Sequence, residues 1–118
     1  MTTIARRYIE VWNETEPDSR RAKIAELYAP EAGYTDPLVQ ATGAAQIDAT
    51  IDAVQRQFSG LVFSLVEPVD AHHDTARFQW RLGAPGADEP LVIGFDVAVV
   101  EQGRLRQVYG FLDKVPSA

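Results

Sequence analysis

The sequence predicts an α+β domain in which three helices precede a mainly antiparallel sheet. Three observations carry this. Apolar residues recur at helical spacing as far as Phe58, the period becomes two beyond Gly60, and the strands come as hairpin pairs instead of alternating with helices. At 118 residues and 13.0 kDa the chain fits one domain, 1–118, large enough to bury its own core.

The first helix is expected over Thr3–Asn13, where Ile4, Tyr8, Ile9, Val11 and Trp12 share a face. Glu14 to Pro17 interrupts it. Asp18 then serves as N-cap of a second helix reaching about Tyr28, and Pro30 ends it. Gly33 to Asp36 reads as a short strand closed by Pro37. In the third helix Ala44, Ile47, Ile51, Val54 and Phe58 keep helical spacing, and Gly60 stops it. Leu61–Ala71 and Thr75–Ala84 are expected to pair around His73-Asp74. After a Pro/Gly-rich loop from Ala84 to Pro90, Pro90–Glu101 and Arg104–Leu112 form a hairpin over Gln102-Gly103.

The Thr75–Ala84 strand is two-faced, with Phe78, Trp80 and Leu82 opposite Arg77, Gln79 and Arg81. In Pro90–Glu101 both faces are mostly apolar. Three helices cover one of them, so a second copy of the chain, a homodimer through the sheet, is the expected cover for the other.

Composition removes several function classes. There is no cysteine, hence no disulfide, no thiolate nucleophile and no Cys-based zinc site. A disulfide-free small domain suits the cytoplasm, and Met1–Trp12, with Arg6, Arg7 and Glu10, does not read as a secretory signal. The longest apolar stretch, Leu91–Val100, contains Asp96 and is too short to span a bilayer, so no membrane role is expected. A net charge of −6 without a basic cluster argues against nucleic acid. His72 and His73 are adjacent on a strand end, point to opposite faces and lack a third ligand at useful spacing. No metal is expected, and one His near a pocket is the better account of the pair. No phosphate-binding Gly-rich loop or Gly-x-Ser-x-Gly is present, and no cofactor is expected.

Tyr8-Ile9-Glu10 with Trp12-Asn13, Tyr34-Thr35-Asp36-Pro37, Gly43, His72-His73-Asp74 with Arg77 and Trp80, Gly94-Phe95-Asp96 and Gly110-Phe111-Leu112-Asp113 occur in an order and spacing that matter together. From about Ile4 to Asp113 the chain resembles the nuclear transport factor 2-like superfamily, in its SnoaL-like and ketosteroid isomerase-like branch. The resemblance implies a cone-shaped fold: three N-terminal helices packed on a strongly curved sheet, with a pocket at the open end.

It also implies site residues. Asp36 matches the isomerases' general base, and Tyr8 matches the tyrosine that stabilises the enolate oxygen. Asp96 is the candidate for the neutral acid that serves as a second donor. An ungapped count back from Gln102-Gly103 puts Phe95 at that acid's position, and one inserted residue brings Asp96 there. Ile51 stands where such isomerases have a supporting Tyr, and the loop between the first two helices is longer here. Arg77 with Gln79 resembles the strand that carries an Arg-x-Asp pair in limonene-type epoxide hydrolases, but Gln79 and Gly110 replace two of the three essential groups, which disfavours that reaction.

Trp12, Tyr28, Tyr34, Phe58, Trp80 and Phe111 are the candidate walls of an apolar cavity for a small apolar, steroid- or polyketide-like molecule. Three functions remain open at this level: a cofactor-independent isomerase or cyclase, a binding module with the same cavity, and an adaptor using its sheet. The acidic, aromatic-rich pocket set favours the first two.

Overall fold

In the computed structural model, which describes residues 1–116, the three helices are α1 (Thr2–Asn13), α2 (Pro17–Leu27) and α3 (Ala44–Gln57). The strands are β1 (Tyr28–Thr35), β2 (Gln40–Thr42), β3 (Val62–His72), β4 (Thr75–Gly83), β5 (Val92–Glu101) and β6 (Arg104–Lys114). They form one six-stranded sheet in the order β2-β1-β6-β5-β4-β3. Among the described residues only the β1–β6 pair is parallel, and the other strand neighbours are antiparallel.

The expected helices are present, with both boundaries of α2 corrected. Glu16, not Asp18, caps α2: its carboxylate accepts the Asp18 and Ser19 backbone N–H groups at 3.2 and 2.6 Å, and Pro17 takes the first helical position, where no N–H is needed. The helix ends at Leu27, and Tyr28 already belongs to a strand. Pro30 therefore does not terminate the helix. It sits exposed in an irregularity of β1, beside Glu31 at φ 60°, where the pairing with β6 shifts between Tyr28 and Gly33. A strand accepts proline at such a bulge because no ladder hydrogen bond is required there.

The core forms where α1, α2 and α3 lie on one face of the sheet, around Ala5, Val11, Ile24, Leu27, Ile47, Ile51, Leu105 and Val108. Strict alternation holds along β5: Val92, Gly94, Asp96 and Ala98 are buried on the helix side, while Ile93, Phe95, Val97 and Val99 are partly exposed on the other. On β6 the alternation breaks. Val99 faces Gln107 but Val100 faces Leu105, which leaves an extra residue at Arg106. This bulge reverses the face, so Leu105, Val108 and Gly110 point inwards while Tyr109 and Phe111 point out.

Candidate active site

A cavity of about 580 Å³ opens between α1, the end of α3 and the inner face of the sheet. Trp12, Tyr34, Phe58 and Trp80 line it, as do Tyr8, Asp36 and Asp96. Two of the expected wall residues do not. Tyr28 is buried in the core at the start of β1, ahead of the Pro30 irregularity. Phe111 is 54% exposed on the outer face of the sheet, turned there by the β6 bulge. Phe63, not among the expected wall residues, supplies the wall between Trp12 and Trp80, with ring centroids 5.5 and 5.3 Å from theirs.

His72 and His73 are exposed at the β3–β4 turn and neither lines the cavity, which corrects the expectation of one His near the pocket. Among the described residues no three His, Cys, Asp or Glu side chains gather as a metal cluster. Arg77 is exposed on the outer face, over the Phe95 ring at 5.4 Å, and Gln79 pairs with Phe95 on that same side of β4. The strand resembling an epoxide hydrolase's thus carries its polar pair away from the cavity.

The three candidate groups meet inside. Tyr8 projects from the buried face of α1 and donates its hydroxyl to Asp96 Oδ2 at 2.7 Å. Asp96, at the middle of β5, is 2% exposed, and Oδ1 finds no hydrogen-bond partner among the described residues. Its face is thus settled: Asp96 points inwards, Phe95 outwards, and the extra residue lies on β6 instead of β5.

Two glycines make the room. Gly94 lies beneath the Trp80 indole, where a Cβ would fall 1.9 Å from Trp80 Cζ2, so the ring can lie flat on the strand beside Asp96. Above Gly110 a Cβ would stand 3.1 Å from Asp96 Oδ1, 3.2 Å from Asp36 Cβ and 3.4 Å from the Tyr34 hydroxyl. Asp36, Asp96 and Tyr34 therefore converge on one point of the floor.

Asp36 follows β1, where Pro37 forbids a further ladder bond. Its Oδ1 accepts the Leu38 and Val39 N–H groups at 2.8 and 3.0 Å, an Asx-type turn, and its Oδ2 accepts the Tyr34 hydroxyl at 2.7 Å. Of about four acceptor positions on a carboxylate, three are filled, leaving one on Oδ2. Tyr34, read from the sequence as wall alone, is thus a hydrogen-bond donor to Asp36. Its i, i+2 spacing was the available signal, but only the register of β1 turns the two side chains together.

Burial pushes the Asp96 carboxyl up to about 6; hydrogen bonding from Tyr8 and from the Trp80 indole opposes this, and the negative charge of Asp36 adds to it. Burial, then the Asp96 charge, holds the Tyr8 phenol well above its ordinary value, so it remains a neutral donor. Tyr34 is raised for the same reasons, burial first. The cavity therefore presents a fixed donor (Tyr8), a fixed acceptor (Asp36) and a group that changes role near pH 6 (Asp96).

The SnoaL-like domain model matches residues 5–108, and the chain belongs to that family. Its fold is that of the nuclear transport factor 2-like proteins. A candidate isomerase of the SnoaL-like family from Agrobacterium tumefaciens is 37% identical, with a TM-score of 0.89 over 95% of this chain and 96% of that one. A candidate ketosteroid isomerase from Kribbella flavida shares 19% identity and a TM-score of 0.71, covering 98% of this chain and 79% of that one. A candidate polyketide cyclase from Sinorhizobium meliloti gives 18% and 0.72, covering 92% and 93%. At these lower identities the likeness is one of fold. No functionally curated protein matches the sequence.

Proposed function

We propose that the protein is a cofactor-independent isomerase or cyclase that moves a proton next to a carbonyl of a small apolar, steroid- or polyketide-like molecule. The observation that carries this reading is the convergence of Tyr8, Asp36 and Asp96 on one aromatic-walled cavity. A carbon acid is weak, so its removal needs a base held near it and a donor fixed where the oxygen becomes negative. In this reading the free position on Asp36 Oδ2 takes the proton. The ligand oxygen accepts from Tyr8 and, when Asp96 is protonated, from Asp96 as well. The removed proton is returned from Asp36 to another carbon of the enolate, which completes the isomerisation with no net change at the protein.

One observation favours a second reading, a binding module without turnover. Asp36 is already held by three donors, which leaves one acceptor position on its carboxylate for a substrate proton. The experiment that separates the two is isomerisation of a 5-ene-3-ketosteroid by wild type and Asp36→Asn. For an enzyme the variant should lose about 10²–10⁴ in rate while still binding the ligand. A wild type that binds apolar ligands without turning over the enone, with affinity unchanged in Asp36→Asn, leaves the binding module in its place.

The active form is proposed to be a homodimer through the outer sheet face. Tyr109 and Phe111, 45% and 54% exposed, continue the apolar side of β5 formed by Phe95, Val97 and Val99. Burying such a face is the ordinary solution for a sheet covered by helices on one side only. Light scattering at micromolar concentration should give twice the chain mass; a 13.0 kDa particle contradicts it.

A further inference from the structure

On the described surface the exposed large apolar side chains fall in two places, with Val62 apart. Tyr109 and Phe111 belong to the outer sheet face. Leu38, Leu91 and Val115, 84%, 40% and 57% exposed, all line the cavity. A side chain that both lines a cavity and meets solvent borders its opening. These three come from separate segments: Leu38 from the β1–β2 turn, Leu91 from the end of the β4–β5 loop, and Val115 from the chain just after β6. Apolar residues scattered singly over a surface are ordinary, but three gathered from distant parts of the sequence at one opening are not scatter.

Local bonds fix this rim. Asp36 Oδ1 accepts the Leu38 N–H at 2.8 Å, so the turn that holds Asp36 also presents Leu38. Lys114 Nζ donates to the Pro90 carbonyl at 2.8 Å and to Glu89 Oε1 at 3.2 Å. That clip holds the segment carrying Leu91 against the segment carrying Val115. Among the described residues the charged side chains of the lining are Asp36 and Asp96 alone, and both lie at the floor.

We propose that Leu38, Leu91 and Val115 form an extension subsite for a ligand longer than the cavity. The ligand's polar end lies at the Tyr8–Asp36 floor, and an uncharged alkyl or aryl extension leaves through the mouth across these three side chains. The inference rests on the cavity being the ligand site, as the proposed function does, and narrows the ligand to an elongated molecule polar at one end. Continuity argues for this occupant, because the rim is the outer end of the same apolar wall that Trp12, Phe63 and Trp80 form inside. A lipid surface is a poorer match. The loop beside Leu91 carries exposed Asp88 and Glu89, Lys114 is already engaged by Glu89, and the net charge is −6, all of which oppose anionic headgroups. A second copy of the chain has the broader outer sheet face to cover, whereas three side chains about an opening offer it little continuous area.

The test compares two 2-naphthyl ketones, with acyl chains of two and ten carbons, titrated calorimetrically into the full chain. Each methylene moved from water onto an apolar rim gains up to about fourfold in affinity, so the long ketone should bind at least about thirtyfold more tightly. In the triple variant Leu38→Ser, Leu91→Ser, Val115→Ser this long-to-short ratio should fall at least about tenfold. If that variant does not fold, the methyl resonances of Leu38, Leu91 and Val115 in wild type decide: they should shift with the long ketone and stay in place with the short one. A ratio near one in wild type, a ratio unchanged in the variant, or rim methyls that ignore the long ketone overturns the proposal. So do rim methyls that respond instead to phosphatidylcholine vesicles, or to protein concentration alone, which would assign the rim to a lipid surface or to a second copy. None of these measurements involves turnover, so a protein that fails to isomerise an enone and a rim that fails to hold a chain are told apart.

Discussion

Arg20 and Asp96 are both charged side chains left 2% exposed, and they are treated in opposite ways. Arg20, on α2, donates from Nε to Asp48 at 2.6 Å and from its two terminal nitrogens to Asp52 at 3.2 Å, Gln55 at 2.7 Å and the Glu14 carbonyl at 3.3 Å. Gln55 in turn donates to the Trp12 and Glu14 carbonyls, so one guanidinium ties α1, α2 and α3 together. Asp96 takes the Tyr8 hydroxyl on Oδ2, with the Trp80 indole beside it, and its Oδ1 has no hydrogen bond of its own among the described residues. The difference separates scaffold from site. A buried charge whose bonds are filled holds elements in register, whereas one left half-filled beside a cavity lowers stability and retains the capacity to bind or react.

The largest expected effect breaks the filled side. Arg20→Ala should lower unfolding free energy by about 3–5 kcal/mol, read by urea denaturation, because it leaves Asp48, Asp52 and Gln55 without their common partner. Arg20→Lys should recover only part of this, since one ammonium cannot reproduce the planar fork. A loss under 1 kcal/mol would put Arg20 on the ordinary surface scale and remove the contrast.

The half-filled side should behave in the opposite sense. Folding raises the Asp96 carboxyl from 3.8 to about 6, so the folded state holds that proton more tightly than the unfolded state. Its contribution therefore favours folding fully below the unfolded value and is lost as pH rises through 6. Asp96→Asn, which carries no charge, should be more stable than wild type at pH 8 by roughly 2–3 kcal/mol at 1.36 kcal/mol per pH unit of displacement. The advantage should shrink through pH 6 and be gone near pH 4. Equal stability at every pH would mean that Asp96 is solvated.

Smaller effects sharpen the comparison within the site. Tyr8→Phe removes the short hydrogen bond to a buried carboxylate and should destabilise by about 2 kcal/mol at pH 8. Tyr34→Phe removes one donor of three from half-buried Asp36 and should cost about 1 kcal/mol. Thermal melts of the two variants in parallel check the order, and a reversed order would mean that the two acid–phenol pairs are not unequal in the way the contacts imply.

The filled network and the open site differ also in how far the sequence revealed them. α1 and α3 were legible because their apolar residues repeat at a helical period, and Tyr8 came with the first of them. Asp36 was legible through its proline. β1 was not: Pro30 reads as the end of a helix, and only the irregularity at Pro30–Glu31 lets a strand run through it. The outward turn of Phe111 is not legible, because no residue in Arg104–Lys114 announces a bulge, yet one extra residue turns Tyr109 and Phe111 outwards. The Arg20 network is not legible in the sequence because its partners, 28 to 35 residues away, meet only when α2 docks on α3. Asp96 could be named but not oriented, since its face depends on a strand register that pairing fixes and composition does not.

The most direct test of the contrast between the two buried charges is a titration of the Asp96 carboxyl itself, followed by its ¹³Cγ resonance in the ligand-free wild type. A midpoint near 6 is predicted, set by burial and by the charge of Asp36. A midpoint at or below 3.8 would contradict the account, because it would show that carboxyl to be as well satisfied as Arg20.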